Sequence, residues 1–93
     1  MTRSDRGVFA ISVAAAMVSM EVQNLRVYER RGLLRPDRTA GGTRLYSADD
    51  VERLERIRDL LAEGLNLAGI ARVLDLEDEV GRLRQRLAGT DSV

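Results

Sequence analysis

Residues 21–46, EVQNLRVYERRGLLRPDRTAGGTRLY, decide the fold of this 93-residue chain. Six arginines and three acidic residues give the stretch a charge of +3, whereas the whole chain has a net charge of zero. A helix is predicted over residues 21–31, because Gly32 behind it suits the left-handed conformation that caps a helix. Two adjacent glycines further on are typical of a hairpin tip. The stretch therefore predicts a helix followed by a short hairpin that carries arginines.

The residues before this stretch predict a shorter helix that opens at Ser12, its expected N-cap. Val13, Met17 and Met20 follow at helical spacing, so we expect them to form the stripe that faces the core. A tight turn then leads into the helix over residues 21–31. Two short helices joined by a tight turn form a helix-turn-helix, whose second helix enters the major groove of DNA.

The outward face of the second helix carries the side chains that we expect to read bases. Amide side chains pair bidentately with adenine, and Arg pairs with guanine. Val22 and Leu25 point inward, with Glu29 between them in projection. An isolated arc of polar residues is more often a solvated helix face, and the first helix is what favours DNA reading here. The outward arc holds Gln23, Asn24, Val27, Arg30 and Arg31, with Arg26 and Tyr28 at its borders.

The hairpin is predicted to act as a wing. Gly41 and Gly42 supply the positive φ that a tight loop needs, and the returning strand places Arg44 and Tyr46 on one side and Leu45 on the other. An Arg with a Tyr behind it can hold phosphate groups. The alternative for a glycine pair among charged residues is a plain solvent loop.

Two further helices are predicted after the wing. Ser47 caps the first of them, with acidic residues in its first turn, and Gly64 ends it. Asn66 then caps a short helix over residues 67–74. The inward stripe of the longer helix is expected to be Val51, Leu54, Leu61 and either Ile57 or Arg58, and its solvent face Arg53, Glu55, Arg56, Asp59 and Glu63.

A heptad seam follows the short helix. Val73, Leu76, Val80, Leu83 and Leu87 alternate in spacing between three and four, which is the pattern of a coiled coil. A helix of about two heptads is too short to be stable alone, so we expect its last four apolar residues to form a dimer interface with a second copy. Packing back onto its own domain is the alternative. The predicted organisation is a DNA-binding domain over residues 9–75, a dimerisation helix over 76–88, and flexible termini at 1–8 and 89–93.

The composition excludes several classes of function. With neither Cys nor His, a zinc or copper site is not expected and nucleophile–His catalysis is excluded, so we predict no enzyme activity, no metal and no cofactor. No apolar run approaches the roughly 18 residues of a membrane span, and the N-terminus lacks a signal-peptide core. The absence of Cys also fits a reducing cytosol. We therefore expect a cytoplasmic, nucleoid-associated protein without a membrane partner.

Several segments match one known pattern at fixed spacing. They are SVAA at residues 12–15, LRVYERRGLL at 25–34 followed by Pro36 and Arg38, and GGTRLYS at 41–47. Together they resemble the MerR family of winged helix-turn-helix transcription regulators. Within it, ISVA at 11–14, RTAGGTR at 38–44 and EGLNLAGI at 63–70 are most similar to the HspR branch, which represses heat-shock genes.

The resemblance implies a four-helix winged domain followed by a short dimerisation helix. It further implies a homodimer joined by an antiparallel coiled coil, which binds an inverted-repeat promoter site on double-stranded DNA. In the HspR branch the DnaK chaperone is the co-repressor, so DnaK is the protein partner that the resemblance implies. Carried over by position, Arg26, Tyr28, Arg44 and Tyr46 would contact DNA, with Gln23 and Asn24 reading bases.

One departure bears on this interface. Val27 stands where many family members have a second Tyr, so one phosphate contact is expected to be missing. An aliphatic residue at this position is in keeping with the HspR branch.

The predicted function is therefore a sequence-specific, dimeric repressor of heat-shock and other stress genes. One alternative is a MerR-type regulator of another regulon. Another is a protein-interaction module on a helix-turn-helix scaffold, with residues 76–88 as its working surface. Such a module has no reason to keep Arg both on the wing and on the outward helix arc, and this favours DNA binding.

Overall fold

The computed structural model describes residues 4–91, with side chains up to Gly89. Within this range the chain forms four helices and one two-stranded antiparallel hairpin, so the predicted fold class, all-α with a small β-hairpin wing, is confirmed. The chain divides into two compact units, Met1–Asp59 and Leu60–Val93. The elements are α1 (Ile11–Met17), α2 (Val22–Arg30), β1 (Asp37–Arg38), β2 (Arg44–Leu45), α3 (Ala48–Ala62) and α4 (Leu67–Asp91).

Helix α1 buries small side chains where larger ones were predicted. Ala14, Ala15 and Val18 are buried, whereas Val13 and Met17 are 47% and 50% exposed. The predicted inward stripe is therefore wrong in these two members. The physical reason is packing distance, because alanines let a short helix approach its neighbour α2 closely, and the longer side chains then lie on the outer face.

The start of α1 also differs from the prediction. The helix begins at Ile11, and Ala10 occupies the N-cap position without a side-chain hydrogen bond. Ser12 therefore lies inside the first turn, and its prediction as the N-cap is wrong.

The turn between α1 and α2 is a left-handed helix cap centred on Ser19. The N–H of Ser19 donates to the Ala16 carbonyl at 3.2 Å, and the N–H of Met20 donates to the Ala15 carbonyl at 3.0 Å. These two bonds make a Schellman cap, in which the central residue needs a positive φ. Ser19 has a φ of 56° and is the one non-glycine residue with positive φ among residues 4–91.

Helix α2 ends as predicted. Gly32 has a φ of 77°, its N–H donates to the Glu29 carbonyl, and the N–H of Leu33 donates to the Tyr28 carbonyl, both at 2.9 Å. This second Schellman cap turns the chain so that Leu33 and Leu34 are buried. The cap thus fixes where the chain leaves α2 to form the wing.

The wing is a short hairpin with Asp37 opposite Leu45 and Arg38 opposite Arg44. Its tip is closed by the N–H of Thr39, which donates to the Thr43 carbonyl at 2.8 Å. Of the predicted glycine pair, Gly42 has a positive φ of 87°, but Gly41 is not among the described glycines with positive φ. One left-handed residue is enough to close this loop.

The segment before α1 is attached to the wing. The N–H groups of Val8 and Phe9 both donate to the Tyr46 carbonyl at 2.9 Å, and the N–H of Tyr46 donates to the Phe9 carbonyl at 2.7 Å. The N–H of Gly7 donates to a carboxylate oxygen of Asp37 at 2.8 Å. Flexibility was predicted for residues 1–8 and 89–93. Ser4, Gly7 and Val8 are hydrogen-bonded, residues 89–91 belong to α4, and residues 1–3 and 92–93 lie outside the described part of the chain.

Ser47 caps helix α3, as the sequence predicts, and the structure shows that the cap is a reciprocal capping box with Asp50. The N–H of Asp50 donates to the Ser47 hydroxyl at 3.0 Å, and the N–H of Ser47 donates to the Asp50 carboxylate at 2.9 Å. These bonds satisfy backbone donors that the first helical turn leaves without partners. Ile57 is buried, so Ile57 rather than Arg58 completes the inward stripe with Val51 and Leu54.

Two arginines of α3 bind the ends of the helix-turn-helix. The Arg58 guanidinium donates from Nη1 to the carbonyl of Val18, the residue directly after α1, at 2.9 Å. Arg53 donates from Nε to the Leu33 carbonyl at 2.6 Å, behind α2. The prediction that Arg53 belongs to a free solvent face is therefore wrong, because its guanidinium satisfies a carbonyl that the helix end exposes.

In the second unit, α3 ends in a third Schellman cap at Gly64, which has a φ of 93°. Leu60 is buried and Leu61 is 38% exposed, so the predicted inward position of Leu61 is wrong by one residue. Asn66 caps α4 as predicted, since its side-chain oxygen accepts from the N–H of Gly69 at 2.8 Å.

Helix α4 runs without a break through the predicted boundary at residue 75. It spans 25 residues, Leu67–Asp91, so the prediction of a short helix over 67–74 is wrong. No Gly or Pro stands near residue 75 to end a helix, and the change in apolar spacing alone does not break it. Its first part buries Ile70 and Leu74. The four seam residues that follow are 44–65% exposed: Leu76, Val80, Leu83 and Leu87.

Among residues 4–91, no helix is both long and apolar enough to cross a membrane. Across the same residues, no cluster of three or more acidic side chains could hold a metal ion.

Candidate nucleic-acid interface

The interface begins with the exposed side chains of α2. The amides lie in its first turn and two arginines at its end, and the five amide and arginine side chains among the predicted contacts are exposed, whereas Val27 is half-buried. Leu25 on the opposite face is completely buried and holds the helix in the core. The five exposed residues are Gln23, Asn24, Arg26, Arg30 and Arg31.

Unlike the five exposed residues, the two tyrosines predicted to contact DNA are buried. Tyr46 is completely buried and Tyr28 is 4% exposed. The Tyr46 hydroxyl has no hydrogen-bond partner among the described residues. Burial raises the pKa of both phenols, so both stay neutral at physiological pH. The Tyr46 side chain fills the core beneath the wing, and DNA contact by the two tyrosines stays a prediction.

A carboxylate that the sequence did not single out connects the wing to α2. Arg44 donates from Nε to Glu29 Oε1 at 2.6 Å, and Arg38 donates from Nη2 to Glu29 Oε2 at 3.0 Å. Each carboxylate oxygen therefore holds one wing strand. The hydrogen bond to Glu29 raises the pKa of the Arg44 guanidinium. We call Glu29, Arg38 and Arg44 the carboxylate clamp.

Arg38 also ties the clamp to the tip of the wing. Its Nη1 donates to the Gly42 carbonyl at 2.9 Å, so one guanidinium connects the tip with α2. The Thr39 hydroxyl accepts from the N–H of Thr43 at 3.1 Å, which closes the same loop from inside. The wing and α2 are thereby held as one basic surface, on which Arg38 and Arg44 remain 47% and 30% exposed.

Sequence reasoning missed Glu29 for a physical reason. On the helical projection it lies between the inward residues Val22 and Leu25, and this position does not indicate a particular role. Its partners lie nine and fifteen residues further along the chain, and their positions depend on the path of the chain after Gly32. The available signal was an acidic residue amid six arginines, which favours pairing without naming the partner.

The family of MerR HTH regulatory proteins matches residues 9–77. The heat shock protein HspR of Streptomyces coelicolor is 49% identical over 85 residues, which are 90% of this chain and 56% of that protein. The HTH-type transcriptional regulator GlnR of Bacillus anthracis is 38% identical over 76 residues, covering 82% of this chain and 59% of its own length.

One solved structure shows the same fold. HiNmlR, a MerR family regulator that lacks the sensor domain and was solved bound to promoter DNA, superposes with a TM-score of 0.72 at 23% identity. The match covers 90% of this chain and 65% of that one.

The matches cover a larger fraction of this chain than of its relatives. The chain spans somewhat more than half the length of the curated relatives that it matches, 56% and 59%. The matched residues include the helix-turn-helix, the wing and α3. The chain belongs to the MerR family of helix-turn-helix transcriptional regulators.

Proposed function

We propose that this protein is a dimeric repressor that binds an inverted-repeat operator through α2 and the wing. The observation that carries the proposal is the basic surface described above. Exposed amides and arginines on α2 stand beside wing arginines that Glu29 holds in place. Amides and arginines on a recognition helix suit base edges, and arginines on a wing suit phosphates.

The same surface narrows the list of proposed contacts. Gln23 and Asn24 are the proposed base readers, and Arg26, Arg30 and Arg31 remain proposed contacts to bases or phosphates. Arg44 remains a proposed phosphate contact, because only its Nε is committed to Glu29 among the described residues. The promoter DNA bound to HiNmlR supports the same use of this fold.

A second copy of the chain is the proposed occupant of the exposed seam on α4. The charges beside the seam are polarised, with acids in its first half and arginines in its second half. Antiparallel pairing of two such helices places acids opposite arginines, whereas parallel pairing places like charges together. Leu76, Val80, Leu83 and Leu87 are the proposed dimer contacts. A two-fold dimer matches an inverted-repeat site.

The proposed regulon is that of heat-shock and stress genes. It rests on the 49% identity to HspR. The DnaK chaperone is the proposed protein partner, and the proposed location is the cytoplasm, at the nucleoid. The 38% identity to GlnR favours a second candidate, a regulator of another set of genes with the same DNA-binding mode.

Genome-wide recovery of bound DNA fragments tests the regulon. We expect an inverted repeat upstream of chaperone genes, and increased transcription of those genes when the protein is removed. Fragments from unrelated promoters would reject the heat-shock assignment and favour the second candidate.

Fluorescence anisotropy with specific and scrambled duplexes tests the contacts. Arg44→Ala should weaken binding to every sequence, whereas Gln23→Ala or Asn24→Ala should relax the choice at one or two base pairs. Affinity should fall steeply with salt, since each phosphate contact releases counterions. A salt-independent affinity, or full binding by Arg44→Ala, would reject the phosphate contact from the wing.

A further inference from the structure

Glu29 places a negative charge inside the most basic surface of the chain. Its side chain is 18% exposed, and both of its oxygens are bonded to wing arginines. An acid at a surface that meets phosphates weakens the attraction between protein and DNA. If the surface binds DNA, Glu29 must therefore contribute something other than electrostatic attraction to the phosphates.

We propose that Glu29 is a positioning residue for DNA binding, which fixes the wing on α2 so that both elements meet the DNA as one preformed surface. The inference rests on the proposed DNA-binding function. It adds a role for an acidic side chain that needs no contact with DNA and acts through Arg38 and Arg44.

The geometry of Arg44 supports this role. A guanidinium has five N–H donors, and Glu29 takes the one on Nε. Four N–H donors on the two Nη atoms are left for a phosphate, on a side chain that is already ordered before DNA arrives. Ordering a long side chain in advance removes an entropy cost from the binding step.

The geometry of Arg38 extends the effect to the wing tip. Arg38 bonds Glu29 with one Nη atom and the Gly42 carbonyl with the other. Without the carboxylate, Arg38 no longer connects the wing tip to α2. The spacing between the wing and the base readers is then no longer fixed, and specific binding suffers more than non-specific binding.

The sign of the effect separates positioning from simple electrostatics. Removing one negative charge from the surface should raise affinity for any duplex if charge alone decides. Loss of positioning should lower affinity for the cognate duplex by about tenfold to a hundredfold, from the ordering of two long side chains. Affinity for a scrambled duplex should stay level or rise.

The test uses a duplex selected from a random pool by the wild-type protein and a scrambled duplex of equal composition. Glu29→Gln removes the charge with little change of shape, and Glu29→Asp keeps the charge but shortens the reach to both arginines. Glu21→Gln is the matched control, because it removes one charge from the start of the same helix without touching the wing. Circular dichroism melting confirms that each variant is folded.

We expect both Glu29 variants to lose affinity for the selected duplex only, and Glu21→Gln to bind both duplexes at least as well as the wild type. In a background of Arg38→Ala and Arg44→Ala, Glu29→Gln should cause no further loss, because its partners are gone. Equal losses on both duplexes, or unchanged selected-duplex affinity in both Glu29 variants, would overturn the inference. A wild type that selects no duplex would instead reject the proposed function, and this inference with it.

Discussion

The buried hydroxyl of Tyr46 sets a precise test at the scale of one residue. It has no partner among the described residues, and a buried unpaired polar group costs about 1–3 kcal/mol. Tyr46→Phe should therefore leave the fold intact and raise the free energy of unfolding by up to about 1 kcal/mol, measured by urea denaturation. DNA affinity should not change.

Tyr28→Phe is the natural comparison for this substitution, because Tyr28 is also nearly buried. A clear loss of DNA affinity in Tyr46→Phe would show that the hydroxyl reaches a phosphate in the complex. The prediction that Tyr46 contacts DNA would then hold for the bound state.

Ser19 is a second residue whose conformation makes a prediction. It occupies the left-handed cap of α1 with a φ of 56°, where a side chain costs roughly 1–2 kcal/mol relative to glycine. Ser19→Gly should stabilise the protein by about 1 kcal/mol, which raises the melting temperature by roughly 4–8 °C in a domain of this size.

Ser12→Gly is the matched control for Ser19→Gly. It makes the same chemical change within α1, where the exposed Ser12 has helical backbone, and glycine costs roughly 0.5–1 kcal/mol in a helix. The two substitutions should therefore move the melting temperature in opposite directions. A fall with Ser19→Gly would mean that the Ser19 side chain makes a favourable contact larger than its strain.

At the scale of elements, the attachment of the N-terminal segment to the wing depends on Gly7. A Cβ at Gly7 would lie 2.5 Å from the Leu45 carbonyl oxygen and 2.9 Å from the Cβ of Asp37. Gly7→Ala should therefore push this segment off the wing, at a cost of about 1–3 kcal/mol. Hydrogen exchange should show faster exchange at the Val8, Phe9 and Tyr46 amides.

Gly81→Ala provides the comparison for Gly7→Ala. Beyond its chain neighbours and the backbone of its own helix, nothing lies within 4 Å of its added Cβ, and alanine is favoured over glycine inside a helix by about 1 kcal/mol. It should stabilise α4 and leave the wing amides unchanged. Normal protection at Val8 and Phe9 in Gly7→Ala would contradict the attachment.

Element ends were predictable from sequence where their signals are local. The cap at Ser47 with Asp50, the stop at Gly32 and the cap at Asn66 each use residues within a few positions of one another. The burial of Tyr46 was not predictable in this way. It depends on contacts with distant parts of the chain, such as the backbone pairing of Tyr46 with Phe9.

The candidate site likewise has a part that local sequence predicts and a part that it does not. Helical periodicity was enough to find the exposed polar face of α2, because one helix fixes its own faces. The carboxylate clamp joins Glu29 to residues nine and fifteen positions away, and Arg53 and Arg58 bond carbonyls 20 and 40 positions away. Such contacts depend on tertiary packing, which a single sequence does not display.

At the scale of the whole molecule, the seam on α4 predicts a concentration-dependent dimer. Replacing Leu76 and Leu83 together by Gln removes two exposed leucines from each helix. Burial of a leucine is worth roughly 1.5–3 kcal/mol, so the dimer Kd should rise by at least about a hundredfold. Sedimentation equilibrium measures this, and operator affinity should fall in parallel.

Leu61→Gln is the control for the seam, because Leu61 is also exposed but stands outside the heptad pattern. It should leave the association state of the protein unchanged. An unchanged monomer–dimer equilibrium in the double variant would assign the seam to another partner and would leave each DNA-binding head to act alone.

The carboxylate clamp also constrains how this sequence can change over evolutionary time. Each oxygen of Glu29 serves one arginine, so an amide at position 29 has only one acceptor oxygen for two donors. Lysine at position 44 lacks the planar fork that bonds Glu29 and still presents further donors. Substitutions at positions 29, 38 and 44 should therefore occur together in homologous sequences, and a lineage that loses the acid should soon lose at least one of its two arginines.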